Sequence, residues 1–228
     1  MFSNQDRLII IDADGTVIDA FAAIDTAFAR HGMNIGDLDR FQKRRNLFKY
    51  LGGLKEFPRN LAKQLGKHGR KGLLATLTEV YREEAGLYPG MADLIRALLQ
   101  APGIRIGLVT RNITHEPEIT LARLFARHDI EIGRLDALHY VPLREDKSVY
   151  FKRIREQFDI NPARAYACGD EYKDYRAALA TGMHPFIVSY GFENHLRLTR
   201  KFAIPEEVIS PTPEHFSKCV RHALDLPL

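Results

Sequence analysis

The stretch LIIIDADGT, residues 8–16, constrains this chain more than any other. A short isoleucine-rich run reads as a strand buried on both faces, as in a parallel sheet. Such strands carry their chemistry at the carboxyl end. Here that end presents Asp12 and Asp14, and Gly15 lets the chain turn sharply away. A carboxylate of ordinary pKa is ionised at neutral pH, so Asp12 needs no base to act as a nucleophile. Asp14, past the strand, is the candidate acid and base.

Beyond this strand the pattern changes twice. Asp19 is placed to cap a helix with Phe21, Ile24 and Phe28 on its apolar side, ended by Gly32. Residues 37–86 then show only helical spacing: Leu38, Phe41 and Phe48 in one segment, Phe57, Leu61 and Leu65 in another, Leu73, Leu77, Val80 and Tyr81 in a third. Gly66, Gly69 and Gly72 are expected to break the last two apart. From Pro89-Gly90 onward helix and strand alternate. A helix around Met91, Leu94, Ile95 and Leu98 comes first. Strands follow at Ile104–Thr110, Ala137–Tyr140, Ala165–Gly169, 185–189 and, briefly, 208–209. Helices fall at about 117–128, 148–158, 173–181 and 213–224, the last opened by Thr212 and Pro213. This alternation predicts an α/β fold with a doubly wound parallel sheet. Residues 1–17 and 87–228 would form that core, and 18–86 an inserted all-helical cap beside the first catalytic loop.

Composition narrows the partners. With 228 residues, 45% hydrophobic and 27% charged, the chain has the make-up of a soluble globular protein. No apolar run is long enough to span a bilayer, and two cysteines do not make a disulfide framework, so a cytoplasmic setting without a membrane partner is expected. A net charge of +4 points to a small anionic substrate ahead of nucleic acid. Oligomeric state is left open.

The ends of other strands complete a phosphoryl-transfer site. Thr110 ends the second strand with a hydroxyl able to donate to a phosphoryl oxygen. Gly169-Asp170 ends the fourth, and Asp174 follows on the first helical turn. Asp12, Asp14, Asp170 and Asp174 would repel one another without a hard cation, and oxygen ligands favour Mg2+ over zinc. Lys147 is the natural cation to face both carboxylates and phosphate. Bringing an aspartate to about 3.5 Å from a phosphate dianion sets up two like-charge pairs, each costing roughly 5 kcal/mol at an effective dielectric of 20. Left unopposed, that is about seven powers of ten in rate.

DADGT, Thr110, Lys147 and GDEYKD, in that order, resemble the four-motif pattern of the haloacid dehalogenase-like phosphatases over nearly the whole chain. LYPGMADLIRAL resembles the phosphoglycolate-phosphatase-like branch, whose helical cap is of the C1 type. The resemblance implies a Mg2+-dependent hydrolase of a small phosphorylated metabolite, with sheet order 5-4-1-2-3. It implies that Asp12 forms an aspartyl-phosphate and that Asp14 protonates the leaving group and later activates water. Asp12, Asp170 and the main-chain carbonyl of Asp14 would bind Mg2+, supported by Asp174. Thr110 and Lys147, with Arg111 and Asn112 beside them, would hold the phosphoryl group. The chain departs from the pattern where Arg111 precedes Asn112, where Glu171 follows Asp170, and where Ser148 follows Lys147.

Plainer readings stand beside these. Asp174 also suits a helix N-terminus as a favourable charge. Cys168 reads as core, the nine histidines show no metal spacing, and Lys152, the rival to Lys147, falls inside a helix. Between residues 40 and 71 eleven positive residues face one negative, Glu56. A solvated face accounts for most of them; Arg45, Lys49 and Lys55 are the candidates for selecting a second anionic group. Two alternatives share these features: a phosphomutase with the same four motifs, and a non-catalytic protein binding an anion or nucleic acid through the basic stretch.

Overall fold

The structure, a computed structural model, describes residues 6–38, 42 and 69–227. Strand β1, Arg7–Ile11, lies at the centre of a six-stranded sheet. Its neighbours are β2, Ile104–Thr110, with β3, Ala137–Tyr140, beyond it on one side. On the other side come β4, Ala165–Gly169, then β5, His184–Val188, and β6, Ile209–Ser210. Every pairing is parallel. The order is therefore β3-β2-β1-β4-β5-β6, the expected five-strand order with β6 added outside β5.

Alternation along β1 explains why the sheet is covered on both faces. Ile9 and Ile11 join a core with α3, Met91–Gln100, α4, Pro117–Ala126, and α7, Pro213–Ala223. Leu8 and Ile10 face the opposite way, onto Phe151 and Ile154 of α5, Lys147–Gln157, and Ala177 and Ala178 of α6, Tyr172–Ala180. Thr212 caps α7 by accepting from the His215 amide, with Pro213 in its first turn, as its sequence suggests.

Two described helices follow β1 before the alternation resumes: α1, Ala20–Ala29, and α2, Gly69–Glu83. Asp19 caps α1 by accepting from the Ala22 amide at 3.0 Å. Ile18 and Leu87 stand side by side, joined by an antiparallel bridge, and the buried apolar residues of α1 and α2 join the same core as Ile9 and Ile11. The Asp19 amide reaches Gly86 and the Tyr88 amide reaches Val17, at 3.0 and 2.9 Å. The two helices pack on each other, and α2 also packs on α4. Gly72 does not interrupt the helix as expected; it lies inside α2. Burial of Leu73, Leu77, Val80 and Tyr81 outweighs the roughly 1 kcal/mol that a helical glycine costs. No helix among the described residues is long and apolar enough to cross a membrane.

Candidate active site

Register places the site. Ile11 stands opposite Leu108 of β2 and Cys168 of β4, so Asp12, Thr110 and Asp170 all emerge at one edge of the sheet. The Asp12 amide continues the ladder to the Cys168 carbonyl at 3.0 Å. Gly15, at φ +80°, then turns the chain back. A side chain there would collide with the Asp170 carboxylate, and one at Gly191 would collide with the Gly15 carbonyl.

Lys147 is the first residue of α5, set by its neighbour Asp146, which caps that helix. Its Nζ lies 2.6 Å from Asp12 Oδ2 and 2.7 Å from Asp174 Oδ1, with only 2% of the residue exposed. The other Asp174 oxygen accepts from the Glu171 amide in a reciprocal cap of α6, so this residue caps its helix and pairs with Lys147 at once. Asp170 is fully buried, and the Phe192 amide donates to its Oδ2 at 2.6 Å. Its Oδ1 is buried with no hydrogen-bond partner among the described residues. One oxygen from each of Asp12, Asp170 and Asp174 lies within 4.8 Å of the others. An all-oxygen set with an orphaned buried carboxylate oxygen suits a hard divalent cation such as Mg2+.

Burial changes the expected electrostatics. It pushes the Asp12 carboxyl up to about 7, although the Lys147 charge pulls the other way. The ordinary pKa expected from sequence therefore does not hold for the protein alone, because desolvation outweighs one ammonium. Asp170 is raised as well, by burial first and then by Glu171 and Asp12. Lys147 loses to burial but gains more from Asp12 and Asp174, and ends above its usual value. A divalent cation among these carboxylates would favour their ionised forms.

The Asp14 carboxylate is turned to other partners. Tyr81 donates its hydroxyl to Oδ1 at 2.8 Å, and the Asn112 amide donates to both oxygens at 3.2 and 3.1 Å. Asn112 is held in turn by the Thr114 amide at 3.0 Å. Burial raises the Asp14 pKa, and the Tyr81 and Asn112 hydrogen bonds oppose it. Two threonine hydroxyls complete the edge. Thr16 Oγ1 and Thr110 Oγ1 are buried without a hydrogen-bond partner among the described residues, though Thr110 is near enough to Asp14 to steady its charge.

The model of the haloacid dehalogenase-like hydrolase family matches residues 7–182. The chain belongs to that family. This hydrolase is 27% identical over 199 residues to a phosphoglycolate phosphatase of Nitrosospira multiformis, covering 82% of this chain and 84% of the relative. It is 26% identical over 208 residues to phosphoglycolate phosphatase 1 of Pseudomonas aeruginosa, covering 84% and 72%. Among solved structures, a predicted phosphoglycolate phosphatase from Haemophilus somnus superposes with a TM-score of 0.62 at 18% identity, covering 96% of this chain and 98% of that one. CbbY from Rhodobacter sphaeroides, solved in complex with phosphate, gives 0.55 at 22% identity, covering 86% and 89%; these two likenesses concern the fold.

Of the residues singled out from sequence, Asp12, Asp170, Asp174 and Lys147 meet in the hydrolase's acidic cluster. Asp14 and Asn112 meet each other instead. Arg111 donates Nη2 to the Glu145 carbonyl at 2.8 Å. Lys152 is exposed, 3.8 Å from Glu156, as its helical position implied. Arg45, Lys49 and Lys55 lie outside the described residues. Sequence reasoning missed Tyr81, Thr16 and the loop after β5. Tyr81 sat in an apolar helical pattern and read as core. Gly191, soon after a strand end, was the available signal of a close backbone approach.

Proposed function

We propose that this hydrolase cleaves a small phosphate monoester by way of an aspartyl-phosphate on Asp12. The observation that carries the reading is the buried Lys147 ammonium held between Asp12 and Asp174, beside the orphaned Asp170 Oδ1. In the reaction, a carboxylate oxygen of Asp12 attacks phosphorus, and the ester oxygen leaves with a proton from Asp14. Asp14 then takes a proton from water as that water attacks the phosphorus, freeing Asp12 and inorganic phosphate. Tyr81 and Asn112 keep the Asp14 carboxyl oriented. The buried hydroxyls of Thr110 and Thr16 and the Lys147 ammonium would bind the phosphoryl oxygens. Asp12, Asp170 and the main-chain carbonyl of Asp14 would hold Mg2+, with Asp174 in support. When bound, that ion supplies positive charge to offset the approach of two anions.

Residues 18–86 are taken as a helical cap, a reading supported by the bridge that brings Ile18 and Leu87 side by side. The relatives named phosphoglycolate phosphatase make 2-phosphoglycolate the first ester to test. Phosphate release is measured over a panel of monoesters with Mg2+ and with chelator. Release from at least one small ester, abolished by chelator and by Asp12→Asn, is expected. No release from any ester with Mg2+ present ends this reading.

A further inference from the structure

A second cluster of charge is formed by residues that flank the candidate catalytic ones in sequence, with no part in the chemistry above. A cavity of about 170 Å3 is lined by Arg111, Arg144, Glu145, Asp146, Lys173 and Arg176. It is room for one small oxyanion and a few waters. Four cations face two acids, and both acids are already engaged. Asp146 accepts from the Ser148 amide at 2.9 Å as the cap of α5, and Glu145 accepts from the Tyr150 hydroxyl at 2.6 Å. Among the described residues Arg144, Lys173 and Arg176 have no ion-pair partner. Arg111 spends Nη2 on the Glu145 carbonyl, which aims the guanidinium, while its Nε is buried with no acceptor. Four cationic side chains around one small cavity, with both of its acids engaged elsewhere, offer the charge balance an oxyanion needs.

The cavity adjoins the catalytic residues through the backbone: Arg111 follows Thr110, Asp146 precedes Lys147, and Lys173 precedes Asp174. The Arg111 charge is felt at Lys147. At Asp146 the Ser148 amide first, and then the charges of Arg111 and Arg176, keep the carboxyl ionised against burial.

We propose that this pocket is a second oxyanion site, taking one phosphate- or carboxylate-sized group beside the catalytic phosphate. The group is either the distal anion of the substrate, which rests on the phosphatase reading, or a separate small anion that needs no such reading. The test uses the double substitution Arg144→Ser/Arg176→Ser, at exposed positions outside the catalytic machinery. Sulfate is first titrated into full-length protein in chelator, against chloride at matched ionic strength, with amide or arginine NMR shifts as the readout. Saturable shifts at Arg111 and Arg176 are expected in the parent, with affinity roughly tenfold weaker in the variant. This arm is independent of turnover.

Kinetics then separate the sources. If the distal anion of the substrate occupies the pocket, the variant raises KM roughly tenfold for an ester with a second anionic group and leaves KM for p-nitrophenyl phosphate unchanged. If a free anion occupies it, both esters keep their KM, and the effect of added sulfate on rate is lost in the variant. Sulfate shifts that do not saturate, or that survive in the variant unchanged, overturn the proposal and leave a solvated basic face.

Discussion

Asp12 and Asp14 lie two residues apart on the same turn and are both buried, yet their surroundings differ in kind. Asp12 faces a permanent cation, Lys147, and two further carboxylates. Asp14 faces neutral donors, the Tyr81 hydroxyl and the Asn112 amide. Burial raises both pKa values, so burial does not assign their roles. The partners do. In the proposed reaction a fixed ammonium, joined by a bound divalent cation, would favour the charged, nucleophilic form of Asp12. Neutral donors stabilise a carboxylate without excluding the protonated form, which suits a group that must give and take a proton.

The strongest attempt to break this contrast is Asp12→Asn. The amide keeps the shape but cannot form the acyl-phosphate, so phosphate release falls roughly a thousandfold or more. Asp14→Asn is expected to cost on the order of 10²- to 10⁴-fold, and differently. With p-nitrophenyl phosphate, whose leaving group needs little protonation, phosphate should remain on Asp12 and appear in the quenched mass of the intact protein. If Asp14→Asn left no covalent phosphate and Asp12→Asn retained a tenth of the activity, the two assignments would have to be exchanged.

Metal binding sharpens the same comparison. Without metal the Asp12 carboxyl is raised to about 7, so a proton must leave before it can ligate. Mg2+ affinity should therefore climb with pH below about 7, by up to about tenfold per unit for each proton released, and level off above. The linked stability has a definite sign. A carboxyl raised in the folded state stabilises the metal-free protein below the unfolded pKa, and that contribution is lost as pH rises through about 7. Calorimetry in buffers of different protonation enthalpy measures the protons released, and Asp12→Asn should remove at least part of the release. An affinity flat from pH 5 to 8 would place the metal elsewhere.

Much of this arrangement was legible because it is local. A hydrophobic run ending in DADGT reports a strand and its carboxyl end together, and GDEYKD does the same for β4. Parallel pairing then brings both ends to one edge without further information. β2, β3 and β4 have the bounds their patterns imply, whereas β5 and β6 are each displaced by one residue. Those last two lie toward the sheet edge, where shorter pairing leaves the ends less determined. What could not be read were contacts between distant segments. Tyr81 meets Asp14 across 67 positions, and the Phe192 amide meets Asp170 only because the loop after β5 folds back. An apolar helical period announces that a tyrosine is buried, not which carboxylate its hydroxyl will find.

Tyr81→Phe is the smallest and most discriminating change. The ring stays buried, so stability should move little, while Asp14 loses one of the donors that favour its charged form. The Asp14 carboxyl then rises further, and the step needing its ionised form weakens most at low pH. A fall in kcat of about tenfold is expected, with KM unchanged and the acidic limb of the kcat profile moved upward. Asn112→Ala should act in the same direction through the other donor. The parallel change Lys147→Met should instead weaken Mg2+ and phosphate binding together, since it removes charge from Asp12 and not a hydrogen bond from Asp14. Should Tyr81→Phe leave both kcat and the acidic limb where they were, the hydroxyl is a packing accident, and neutral donors cannot be what distinguishes Asp14 from Asp12.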